Sequence, residues 1–86
     1  MAARDEVKRL AEELKGQRDE LALRVHLARR EVRDEWTALE KTWDHFRGRV
    51  EVIGREVGDA AEDVGSALRL VASELKRGYE RVRRLV

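Results

Sequence analysis

Eighty-six residues with 43% charged and 5% aromatic side chains and a net charge of +1 bound this chain to one small domain. A domain of this size buries only about two-thirds of the surface of its unfolded chain, so a large core is out of reach. The 42% apolar content and near-balanced charge exclude a disordered polyelectrolyte, and abundant Ala, Glu, Leu and Arg without proline is the profile of long helix or coiled coil.

No cysteine is present, which excludes disulfides and thiolate metal sites and fits a reducing compartment. The opening MAARDEVKRL lacks the apolar core of a signal peptide, and apolar runs do not exceed two or three residues, too short to span a membrane. The expected location is cytoplasmic.

In chain order the apolar positions are Val7, Leu10, Leu14, Leu21, Val25, Ala28, Val32, Trp36, Leu39, Trp43, Phe46, Val50, Ile53, Val57, Ala61, Val64, Leu68, Val71, Leu75, Tyr79, Val82 and Val86, with Gln17 filling the one gap. Every step is three or four residues, a single stripe along one helix face. The mean step of about 3.6 lies between the heptad and the eleven-residue repeat, so only a weak supercoil is expected. The stripe does not lose phase in the middle. Gly48 stands without the usual turn companions, and Gly58-Asp59, where Asp59 and Glu62 have capping-box spacing, is a second weak break. An unbroken helix from Asp5 to Arg84 would be about 120 Å long at 1.5 Å per residue.

Such a helix must cover its stripe. When positions are paired so that their numbers sum to 89, the stripe meets itself, with Trp36 on Ile53, Leu39 on Val50 and Trp43 on Phe46. The charges agree. Asp5 meets Arg84, Glu6 meets Arg83, Glu20 meets Arg69 and Glu40 meets Arg49, and eleven of twelve charged pairs are opposite, the exception being Lys8 with Arg81. Each exposed pair contributes only about 0.2–1 kcal/mol, but together they select orientation and register. Small residues Gly54, Gly58, Ala61, Gly65 and Ala72 form a flanking stripe that permits close helix approach.

The expected fold is therefore all-α: one domain over residues 1–86, a long amphipathic helix in an antiparallel coiled coil, with its pairing centre near residues 44–45. The alternative is a two-helix hairpin turning near Asp44–Arg49 and dimerising to a four-helix bundle. The predicted oligomer seam is Leu14, Leu21, Val25, Val32, Trp36, Leu39, Trp43, Phe46, Val50, Ile53, Val57, Val64, Leu68, Val71, Leu75 and Tyr79. A parallel in-register coil is disfavoured, because it sets Glu56, Asp59, Glu62 and Asp63 beside their own copies.

Chemistry is sparse. His26 and His45 belong to no HxxxH pair, and Leu23 and Thr42 stand three residues before them where a di-iron bundle needs Glu. The carboxylates alternate with Arg and Lys as a solvated face, and Ser66 and Ser73 have no nearby base. No catalytic, metal-binding or cofactor-binding residue is assigned, and the expected function is a non-enzymatic, self-associating structural or interaction module. The main partner is a second copy, with another helical protein as a further candidate. Two basic stretches, Arg24–Arg33 and KRGYERVRR with Lys76, Arg77, Arg81, Arg83 and Arg84, are candidate anion contacts for a lipid surface or for nucleic acid, although a net charge of +1 argues against nucleic acid as the main partner. An amphipathic helix lying on lipid is the alternative function.

With Arg18-Asp19-Glu20-Leu21, Asp34-Glu35-Trp36, Leu39-Glu40, Trp43, Glu62-Asp63-Val64-Gly65 and Gly78-Tyr79 in place, the chain resembles small uncharacterised bacterial coiled-coil proteins over Arg18 to Arg81. The resemblance implies a cytoplasmic helical protein and adds no site residue.

Overall fold

The computed structural model describes the backbone of residues 3–53 and 59–86, and the side chains of 5–52 and 64–86. The chain is all-α: α1 spans Ala3–Val25, α2 Arg30–Ile53 and α3 Asp59–Leu85. Asp5 and Glu6 lie in the first turn of α1, Arg24 in its last, and Arg83 and Arg84 in the last turn of α3, each with the sign that the helix dipole favours.

Instead of one helix, the described chain is broken between Val25 and Arg30. Leu27 N–H donates to the Arg24 carbonyl at 3.2 Å and Ala28 N–H to the Val25 carbonyl at 2.9 Å. These bonds span three residues, so the helix tightens before the chain reverses. Arg33 N–H then donates to the Arg29 carbonyl at 3.0 Å and starts α2. The hairpin turn expected near Asp44–Arg49 is absent, because α2 runs through both residues and through Gly48. Of the second weak break, Gly58 lies outside the described residues, while Asp59 is where α3 begins.

Ion pairs and contacts fix the directions. Arg69 on α3 reaches Glu6 on α1, and Arg83 reaches Glu20, both at 3.1 Å. Both pairs are separated by 63 positions, so α1 and α3 run the same way. Trp36 of α2 meets Tyr79 of α3, Leu39 meets Gly78, and Phe46 and Arg49 line a cleft with Val64 and Leu68, so α2 runs in the opposite sense to α3. Helix α1 touches α2 through a short connection and is therefore antiparallel to it. The molecule measures 45 × 18 × 16 Å. Its length is close to that of α3 alone, about 40 Å for 27 residues.

The stripe becomes an internal core. Val7, Leu14, Leu21, Val25, Val32, Trp36, Trp43, Phe46, Leu68, Ala72, Leu75, Tyr79 and Val82 are buried together, with Leu10, Leu39, Val50, Val64 and Val71 partly buried against them. Breaking one helix for a reversal gives up a few backbone hydrogen bonds, each contributing about 1 kcal/mol net. Each large apolar side chain removed from water contributes about 1.5–3 kcal/mol. Burial wins, and the chain covers its own stripe.

Candidate interaction surfaces

At the centre of the molecule Trp36 and Tyr79 meet with ring centroids 5.6 Å apart, tilted at 38°. The expected partner of Trp36, Ile53, has a side chain outside the described residues, as does Val57. Trp43 and Phe46 do meet, at 5.9 Å, but as neighbours one turn apart on α2. Gly78 faces the Leu39 side chain so closely that a Cβ there would collide with it. The absence of that carbon lets α2 and α3 approach at this level. Gly78 is not part of the small-residue stripe Gly54, Gly58, Ala61, Gly65 and Ala72; its signal was a glycine flanking Leu75, Tyr79 and Val82 on the apolar stripe.

Beside this contact Arg18 grips Glu40 in fork geometry, Nε to Oε1 at 2.6 Å and Nη2 to Oε2 at 2.5 Å. Both side chains are about two-thirds or more covered, and the Arg18 guanidinium is held above its ordinary range chiefly by this hydrogen bond. Glu40 thus pairs with Arg18 and not with Arg49. Asp19 is held below the usual carboxylate range, first by Lys15, which donates to it at 3.0 Å. The Tyr79 hydroxyl is buried with no hydrogen-bond partner among the described residues, and burial, reinforced by Glu40, pushes its ionisation above the ordinary phenol range.

A cleft of about 250 Å³ lies between the C-terminal half of α2 and the first half of α3. His45, Phe46, Arg49, Val64, Ala67, Leu68 and Val71 line it. The 63-residue register sets Ala3 level with Ser66, so α3 begins about seven residues ahead of α1. Over most of the molecule α1 covers the groove between α2 and α3. By this register Leu68 and Val71 stand level with Asp5 and Lys8, so the cleft lies beside the first turns of α1.

The five predicted anion contacts on α3 do not form one patch. Arg81 is taken by Glu35 and Arg83 by Glu20. Lys76 borders a hollow with Leu10 and Gln17, Arg77 is exposed, and Arg84 lies at the far end beside Arg29, Val32 and Leu85. His26 and His45 are both exposed and far apart in the fold, and among the described residues no three His, Asp or Glu side chains are grouped to hold a metal ion. No described helix is long and apolar enough to cross a membrane.

The fold and these surfaces define an all-helical protein, with three packed helices among the described residues. No protein-family model matches the chain, and neither the curated proteins nor the solved structures contain a significant match.

Proposed function

We propose that this protein is a non-enzymatic interaction module that associates with a second copy through the cleft between α2 and α3. The observation that carries the reading is the apolar cleft between α2 and α3 beside the first turns of α1. Its walls are apolar, with Phe46, Val64, Leu68 and Val71 contributed by the two helices and only His45 and Arg49 polar at the rim. Over the rest of its length the same groove accepts an amphipathic helix with a Val- and Leu-rich stripe, namely α1. A helix of that kind from another chain fits the open part, and a second copy supplies one. Val52 and Leu70, each three positions on from a lining residue (Arg49 and Ala67), are 46% and 71% exposed. Most of the predicted seam is occupied within the chain, Phe46 and Leu68 included, so the self-association we propose is confined to this end and engages the partly buried seam positions Val50, Val64 and Val71.

The test is mass in solution. Light scattering on the intact chain should give a value that rises with concentration above the 10.0 kDa of one protomer. Ala67 is exposed in the cleft, so Ala67→Glu should return the mass to one chain without loss of helicity. One-chain mass at every concentration, or an unchanged oligomer in the variant, contradicts the reading.

A further inference from the structure

The end of the molecule opposite the cleft brings together two stretches remote in sequence, residues 21–30 and 81–86. Arg83 and Arg24 share the Glu20 carboxylate, at 3.1 and 3.7 Å, which ties the end of α3 to the end of α1. Arg84 and Leu85 border a hollow with Arg29, Glu31 and Val32, which ties it to the start of α2. The two stretches hold six of the 19 basic side chains and none of the 18 acidic ones. A net charge of +1 for the whole chain therefore conceals an uneven distribution along the sequence, with Glu31 directly after the first stretch. Glu20 and Glu35 border this end and take up Arg83 and Arg81. Arg29, Arg30 and Arg84 have no carboxylate within ion-pair distance among the described residues.

The same end exposes large apolar side chains. Leu27 is 89% exposed and Leu23 80%, four positions apart at the close of α1, and Leu85 is 56% exposed. Single exposed leucines are ordinary, but three at one end, beside Arg29, Arg30 and Arg84, are a patch. The core does not need them: Leu21 and Val25 already fill it at this level.

We propose that this end docks on an anionic lipid surface, with Leu23, Leu27 and Leu85 entering the boundary between headgroups and acyl chains while the arginines meet lipid phosphates. Charge complementarity selects the partner class, and the leucines select lipid over nucleic acid. A duplex or single strand would use the arginines but would leave Leu27 in water, whereas a bilayer interface takes both kinds of side chain. The geometry is that of a rigid bundle end touching a surface, not of a helix lying along it, because the main apolar stripe is already buried within the chain. The surface lies opposite the cleft, so neither proposal depends on the other.

The experiment is flotation of the intact chain with vesicles of phosphatidylcholine, alone or mixed with phosphatidylglycerol. Binding is expected only to the mixed vesicles. Leu27→Ser should lower partitioning about tenfold, and Arg29→Gln and Arg30→Gln about fivefold each, with circular dichroism unchanged because all three side chains are exposed. Leu27→Trp should shift its emission to the blue on mixed vesicles. Absence of flotation on mixed vesicles overturns the proposal. So does binding to duplex DNA as well as to mixed vesicles with the arginine dependence but no loss from Leu27→Ser, which would make this end a general polyanion contact.

Discussion

Arg69 donates to the Glu6 carboxylate across the α1–α3 contact at 3.1 Å. Fourteen residues further along both helices, Arg83 makes the same contact with Glu20. These are the four residues that an antiparallel map pairs the other way, Glu6 with Arg83 and Glu20 with Arg69. Exchange of partners within one set of charges turns a reversed pairing into a same-direction pairing, and with it a long two-chain coil into three helices of one chain.

Gly78 and Gly48 should respond oppositely to alanine. Both lie inside helices, where alanine is favoured by about 0.5–1 kcal/mol. Around Gly48 there is nothing within 4 Å of a new Cβ, so Gly48→Ala should stabilise by about that amount. At Gly78 the new carbon meets the Leu39 side chain, and overpacking of this kind costs about 1–3 kcal/mol. Urea unfolding of the two variants beside the parent checks the contrast; a stabilised Gly78→Ala would show that Leu39 moves aside freely.

The Arg18–Glu40 fork should outweigh the surface pairs. Replacing Glu40 by Gln leaves a largely covered guanidinium with only the exposed Asp19, at 3.1 Å, as charged acceptor, at about 1.5–3 kcal/mol. Glu6→Gln, which removes the exposed partner of Arg69, should cost less than 1 kcal/mol. A double-mutant cycle with Arg18→Met and Glu40→Gln isolates the coupling. A coupling no larger than that of Glu6 with Arg69 would mean that the fork is not formed in solution.

Tyr79 makes the protein sensitive to alkali. Its folded-state ionisation is raised above the unfolded value by burial, so the folded form holds the proton more tightly. The resulting stability is fully present below the unfolded pKa of about 10 and is lost as pH rises beyond it. Tyr79 is the only tyrosine, so phenolate absorbance reads it alone. It should titrate above the ordinary range and together with loss of helicity. Tyr79→Phe should remove that step, with little change near neutrality because the hydroxyl has no partner to lose among the described residues.

The sequence carried the helices and the core plainly. Val7, Leu14, Leu21, Trp36, Trp43, Leu75 and Tyr79 stand on the stripe at steps that only a helix face explains, and all are buried. The reversal was hidden for a physical reason. VHLARR contains no Gly, Pro or Asn, and Val25, Ala28 and Val32 keep their three- and four-residue steps through the turn, so periodicity passes it without a mark. The charge pattern was ambiguous in a specific way, because Glu6, Glu20, Arg69 and Arg83 satisfy both a mirror and a shift. Among the candidate surface residues, the two basic stretches were legible, but their meeting at one end depends on the three-helix topology. Gly78 could be read only once Leu39 was known to face it.

The most direct measurement is the distance between spin labels at Glu6→Cys and Arg69→Cys, in labelled chains diluted with unlabelled ones so that only pairs within one chain contribute. Three helices with α1 and α3 side by side place these positions across one helix contact, where axes are about 8–10 Å apart, so a short distance is expected. A hairpin paired by the mirror map sets them about 21 Å apart along the helix axis, and a continuous helix about 95 Å. A short, narrow distance supports the same-direction pairing of α1 and α3; a distribution centred at either longer value contradicts it.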